Sequence, residues 1–99
     1  MVHILTVLYG QPDDPAAFDQ YYTSTHVPLA NKIPDCRSFT YRHLSTLDGS
    51  QPPYHLIAEL AFDSLESLQS ALGSPEGQAA AGDVPNFATG GATMLVAHD

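Results

Sequence analysis

The sequence predicts a single α+β domain whose elements follow the order β-α-β-β-α-β. Three observations carry that prediction. Four apolar or β-favouring runs, Val2–Tyr9, Ser38–Leu47, Tyr54–Phe62 and Ala92–His98, are separated by helical stretches and turn-rich links. Phe18, Tyr22, Thr25, Leu29 and Ile33 recur at intervals of three and four, which puts them on one helix face at about 100° per residue. The chain has 99 residues, room for one modest core and no second domain, so residues 1–99 are read as one unit.

The first strand, Val2–Tyr9, is apolar on both parities: Val2, Ile4 and Leu8 on one, Leu5, Val7 and Tyr9 on the other. A strand of that kind is buried on both faces. Asp14 is a candidate N-cap with Pro15 at the first helical position, where a missing N–H costs nothing. The helix then runs from about Pro15 to Lys32 and ends at Pro34-Asp35. Pro28 lies inside it. A proline removes the N–H bond to Ser24 and disfavours helical angles at Val27, so a kink or break is expected just after His26.

Ser38–Leu47 and Tyr54–Phe62 read as two strands of a hairpin joined through "LDGSQPP". Asp63 with Glu66 three residues on resembles a capping box. It opens a helix from Ser64 to Leu72 that buries Leu65, Leu68 and Leu72, and Gly73 stops it. Ser74-Pro75-Glu76 starts a short helix to about Ala81, "GDVPNFATGG" reads as loop, and Ala92–His98 closes the pattern. The split order is that of ferredoxin-like folds. Two helices cover only one face of such a sheet, while the first strand asks for cover on both. A second copy packing its sheet on the first would supply it, so a two-fold homodimer is expected.

Eleven acidic residues stand against three basic ones, a formal net charge of −8. That surface repels phosphate backbones, so nucleic acid and anionic membrane are not expected partners. No apolar run approaches the roughly 20 residues of a membrane span. "MVHILTVLYG" has neither a basic n-region nor a cleavage site, so it is not read as a signal peptide. The single cysteine, Cys36, excludes an intrachain disulfide and points to the cytoplasm.

His26 is the first candidate for chemistry. It falls on the flank of the buried stripe, facing the sheet, and an imidazole exchanges protons near neutrality. A half-buried histidine bonded to a carbonyl, with no catalytic role, fits the same spacing. Tyr22 turns inward beside it, either as a substrate-orienting phenol or as a core residue with a satisfied hydroxyl. Phe39, Tyr41 and His43 share one parity of the second strand and form an aromatic wall only if that parity faces the helix; otherwise they belong to the dimer face. Glu59, the one acid inside an apolar strand, is either paired and buried or an edge-strand acid facing solvent. His3, His26, His43, His55 and His98 are scattered one per element, without a short ligand pair, so no metal is expected. No dinucleotide or phosphate-loop motif is present, and no cofactor is expected.

The stretch "FDQYYTSTHVPLANKIP", with "ILTVLYG" before it and "AELAFDSLESLQSALGSPEGQAAAGDVPNFA" after it, resembles the EthD family. These are small proteins of the dimeric α+β barrel superfamily, named after a protein linked to ethyl tert-butyl ether degradation. Phe18, Tyr21, Tyr22, His26, Pro28, Leu29 and Pro34 carry the resemblance, and Tyr22-x3-His26-x-Pro28-Leu29 is its core. The likeness spans nearly the whole chain. It implies ferredoxin-like protomers that pair their sheets into a barrel, with a pocket between each sheet and its helices. The wider superfamily includes cofactor-free monooxygenases of aromatic polyketides, cyclases, dehydratases, lactone isomerases and haem-binding branches. In the isomerase branch the helix histidine is a proposed proton-transfer residue, a role that carries onto His26. That branch has a pocket tyrosine where this chain has Phe39, and Met-Pro-Gly where it has Ile33-Pro34-Asp35.

Two classes of function are therefore expected. One is a cofactor-free enzyme on a hydrophobic aromatic, polyketide-like or lactone substrate. In it His26 moves the proton, Tyr22 and Tyr41 orient the substrate, and Phe39 and Met94 shape the pocket. The other is a non-catalytic homodimer that binds a small apolar ligand or serves as an auxiliary. Whether Tyr22, Phe39 and Tyr41 enclose space or fill it separates them.

Overall fold

A strand apolar on both parities belongs in the middle of a sheet, and β1 (His3–Gly10) is there. The computed structural model describes residues 2–99. It places four antiparallel strands in the order β2-β3-β1-β4, with β2 at Ser38–His43, β3 at Tyr54–Phe62 and β4 at Ala92–His98. The architecture is the α+β, ferredoxin-like one expected from the element order. No helix among the described residues is long and apolar enough to cross a membrane.

Leu5, Val7 and Tyr9 of β1 and Leu56, Ala58, Leu60 and Phe62 of β3 point to the helices and are buried. The opposite face carries Ile4, Leu8, Ile57 and Leu95, and no helix among the described residues covers it. Glu59 lies on that open face, half-buried, opposite Thr6 and Thr40. It is not an edge-strand acid, because β3 is an interior strand. The edge strands are β2 and β4, and every residue of β4 is exposed.

The long helix departs from expectation in an instructive way. α1 (Pro15–Tyr21) starts where predicted: Asp14 accepts from the Ala17 N–H at 3.1 Å and Pro15 occupies the first turn. It passes into a π-helical turn, Tyr22–His26, and then into α2, Val27–Ala30. There is no break at Pro28. Val27 keeps helical angles (φ −56°, ψ −45°), and its N–H reaches back five residues to the Tyr22 carbonyl. The ladder is changing register there already, so the N–H that Pro28 lacks falls at the change, and Asn31 resumes four-residue spacing by bonding Val27 at 2.9 Å. Hydroxyls satisfy carbonyls around the wide turn: Ser24 donates to Gln20 O at 2.7 Å and Thr23 to Asp19 O at 2.9 Å.

A π turn holds one extra residue, so it moves the buried stripe by one position. Tyr22, His26, Ala30 and Ile33 are buried, while Thr25 is exposed and Leu29 only half-buried. After α2, Asp35 adopts a left-handed conformation (φ 60°) to turn the chain into β2.

α3 (Leu65–Gly73) is capped by Ser64, which accepts from Ser67 N–H, not by Asp63; that acid instead pairs with Arg37. Leu68 and Ala71 are its buried residues, and Leu65, expected inside, is 42% exposed. Ser74 ends α3 and caps α4 (Pro75–Asp83) by accepting from Gly77 N–H at 3.0 Å. So sharp a link needs Gly77, because a Cβ there would lie 2.1 Å from the Ala71 carbonyl oxygen. A short 3₁₀ turn, Val84–Asn86, follows α4 inside the stretch read as loop.

Candidate active site

The π turn sets His26 into the helix-sheet layer, 5% exposed. Its Nδ1 lies 3.0 Å from Oδ2 of Asp83, the last residue of α4. The other carboxylate oxygen accepts from the Tyr21 hydroxyl at 2.6 Å and from Asn86 Nδ2 at 3.0 Å. Burial pushes the Asp83 carboxyl up, but the three hydrogen bonds outweigh it and hold it below the ordinary carboxylate value. An ionised Asp83 accepts only, so Nδ1 of His26 carries the proton and Nε2 keeps its lone pair. Burial lowers the His26 pKa, and the Asp83 charge opposes without reversing it, so the ring is neutral at pH 7.

Aromatic rings fix the imidazole from two sides. Tyr22 stacks on it with centroids 5.2 Å apart, and Phe87 packs at 4.7 Å. Phe87 also touches Tyr9, Phe18, Tyr21 and Tyr22, so the segment after α4 locks the site together. That segment reaches the end of β1 because Gly10 and Gly90 lack side chains; a Cβ on Gly10 would meet the Gly90 carbonyl oxygen at 2.3 Å.

His26 opens onto an apolar cavity of about 110 Å³ between sheet and helices. Tyr22, Phe39 and Met94 line it with His26, and Leu5, Val7 and Leu60 form its floor. The second-strand parity left open by the sequence is resolved: Phe39, Tyr41 and His43 face the helices. Tyr41 stands behind the wall, edge-on to Tyr22 at 5.1 Å and 37% exposed, and does not line the cavity. Met94, on the exposed strand β4, lies at the rim.

Tyr22 is completely buried, and its hydroxyl has no hydrogen-bond partner among the described residues. A hydroxyl left so costs about 1–3 kcal/mol. Burial raises the pKa of Tyr22 well above the ordinary phenol and pushes Tyr9 up to about 12. Both phenols are therefore donors at neutral pH. Cys36 donates to Ser38 O at 3.1 Å, and burial raises its pKa, which fits a structural thiol.

The sequence pointed to His26, Tyr22, Phe39 and Met94, and the fold gathers these four round one cavity. Asp83, Tyr21, Asn86 and Phe87 were not foreseen. The one signal for them was a lone acid, Asp83, in an otherwise small and apolar run from Ala79 to Val84.

A model of the EthD domain matches residues 11–91. An uncharacterized 11.0 kDa protein encoded in the thcB–thcC intergenic region of Rhodococcus erythropolis is 48% identical over 91 residues, 92% of this chain and 88% of that one. The crystal structure of an EthD family protein from Bacillus halodurans superposes with a TM-score of 0.93 at 34% identity, over 100% of this chain and 99% of that one. A dimeric ferredoxin-like protein of unknown function from Thermobifida fusca shares the fold at 15% identity (TM-score 0.72, 100% of this chain and 92% of that one). With the domain match covering most of the chain, and an EthD protein sharing both a third of its residues and its whole fold, the chain belongs to the EthD family.

Proposed function

We propose that this protein is a small homodimeric enzyme that moves a proton on a hydrophobic substrate carrying one aromatic or lactone ring, with His26 as the acid–base group. The observation that carries the reading is the His26–Asp83 pair set in the wall of an apolar cavity. Nδ1 is engaged by a carboxylate, which leaves Nε2 as the atom that meets a ligand. In the first step Nε2 takes a proton from a substrate carbon next to a carbonyl. The electron pair moves onto the carbonyl oxygen, and the imidazolium rests against the Asp83 carboxylate. Return of the proton at another carbon isomerises the substrate. Loss of water, or capture of O₂ by the carbanion, would start from the same step. The Tyr22 hydroxyl, buried beside the imidazole and without a hydrogen-bond partner among the described residues, would have to turn to the cavity to serve as donor for the developing oxyanion.

Cavity size supports a one-ring substrate. The cavity, about 110 Å³, is of the order of the roughly 150 Å³ apolar cavity that holds a benzene ring, so it takes one ring, and its open side at Met94 leaves room for substituents beyond it. The open face with Ile4, Leu8, Ile57 and Leu95 supports a dimer, as does the description of the Thermobifida fusca relative as dimeric. A lone free cysteine fits the reducing cytoplasm.

A thermal-shift screen with one-ring hydroxyquinones, phenols and lactones tests the reading, followed by turnover of whichever compounds bind. His26→Gln should retain binding and lose about 10²–10⁴ in rate, the usual worth of a general acid–base group. Tight binding without turnover in the wild type would replace the enzyme with a carrier. Turnover unchanged in His26→Gln would remove the imidazole from the chemistry.

A further inference from the structure

A second cluster of titratable side chains lies on the other side of the Phe18 ring, which is stacked on Tyr22 (5.7 Å) and edge-on to His55 (5.0 Å). There Asp19 Oδ1 lies 2.9 Å from Nε2 of His43 and 2.8 Å from Nε2 of His55. All three ligand atoms fall within 4.8 Å of one another. We propose that Asp19, His43 and His55 bind a first-row divalent transition metal ion of the Zn²⁺, Co²⁺ or Fe²⁺ class.

Four features argue for it. The first is donor chemistry: two imidazoles and one carboxylate select transition ions over Mg²⁺ or Ca²⁺, which take oxygen ligands. The second is spacing. Two ligand atoms each about 2.05 Å from an ion stand about 2.9 Å apart at the right angle of an octahedral site and about 3.3 Å apart at the tetrahedral angle; Asp19 keeps 2.9 and 2.8 Å from the two histidines, close to the octahedral value. Two histidines and one carboxylate on one face of an ion leave its remaining positions open.

The third feature is a break in strand register that serves the cluster. Tyr9 pairs with Leu56 while Gly10 pairs with Tyr54, so His55 is the extra residue of a β-bulge. In regular alternation His55 would share the open face with Ile57 and Glu59. The bulge turns it to the helix side, where its ring packs on Phe18 and faces His43 at 5.0 Å. The fourth feature is that α1, β2 and β3 each contribute one ligand, so packed elements hold the geometry. His43 and Asp19 are 57% and 40% exposed, against 13% for His55, which leaves an ion reachable from solvent on one side.

The same distances suit a His–Asp–His hydrogen-bonded group with no ion, and titration separates the two. Tag-free protein is titrated with Co²⁺ while its ligand-field absorption is followed, and with Zn²⁺ by calorimetry. The expected result is one ion per chain, with affinity falling more than about tenfold in His43→Ala and in His55→Ala. His98→Ala should leave it unchanged. His43 is exposed, so its variant keeps the fold even if His55→Ala does not. No stoichiometric binding, or binding that survives His43→Ala, would overturn the site and leave a hydrogen-bonded cluster. The readout is metal occupancy, so it stands or falls apart from any turnover at His26.

Discussion

At the scale of single residues, Asp83 is the group on which the proposed chemistry turns, although it touches His26 and not the cavity. It acts as a positioning residue: it fixes the tautomer and shelters the imidazolium. Asp83→Asn preserves shape and removes the charge that raises the His26 pKa, so the acid limb of the pH–rate profile should move to lower pH as turnover falls. A rate loss with an unmoved limb would mean that Asp83 only holds the fold. Stability follows the same group. Burial lowers the folded-state pKa of His26, so between that value and about 6.5 the unfolded chain binds the extra proton. The contribution is complete above about pH 6.5 and is lost as pH falls through the folded value. Melting midpoints should fall on acidification in that window, and His26→Phe should remove that step. The lowered carboxyls of Asp19 and Asp83 add a second loss, below about pH 3.8. Asp35 gives a separate test. Its left-handed backbone costs a non-glycine residue about 1–2 kcal/mol, less for Asp, so Asp35→Gly should raise the urea midpoint by up to about 1 kcal/mol of stability. Of the site, the sequence made His26 legible because a histidine two residues before a proline in a half-buried helix is conspicuous. It hid Asp83, which is 57 positions away and meets His26 only once α4 packs beside α2.

At the scale of elements, the π turn is what differs from a reading by helical period. A fixed 100° step chose Thr25 and Leu29 for the core, whereas the extra residue in the turn delivers His26 and Ala30. Pro28 and the wide turn are coupled. Pro28→Ala restores a donor and a strong helix former, so the segment should gain stability, by less than the roughly 3 kcal/mol of an ordinary helix interior. It should also relax toward an α-helix, rotating His26 away from Asp83. The His26 Nδ1 proton resonance reports this; an unchanged signal would mean that packing, not Pro28, holds the turn. The link between α3 and α4 is as tight. Gly77→Ala forces a methyl into backbone at Ala71 and Leu72 and should cost about 1–3 kcal/mol, read from chemical denaturation. The start of α1 was legible because Asp14-Pro15 is a local signal. The cap of α3 was misread by one residue, since Asp63 and Ser64 are both good caps and the pairing with Arg37 decides between them.

At the scale of the whole molecule, the element order was legible because each strand and helix carries its own period, and the two-sided apolarity of β1 marked it as interior. Strand parity in β2 was not, since alternation alone does not say which side the helices take. The bulge at His55 was equally hidden, being a property of the pairing with β1. The open sheet face leads to a prediction for assembly. Ile57→Lys or Leu95→Lys places a charge where two sheets would meet, and sedimentation should then give the mass of one chain with the fold intact. Wild-type protein that sediments as a monomer would remove the dimer from the proposal. The central place of β1 has one more consequence, for the order of events in folding. β1 precedes both its neighbours in the chain, yet His3 pairs with Phe62 and with His98. Its hydrogen bonds close loops of roughly 50 to 90 residues, while the β2–β3 hairpin closes across a short link. The hairpin, with α3 following it directly, is thus the natural nucleus, and the most apolar strand waits longest for partners. Refolding should be slower than that of a helical bundle of this length, and a nascent chain that stalls before β4 would present one bare edge of β1 to its neighbours.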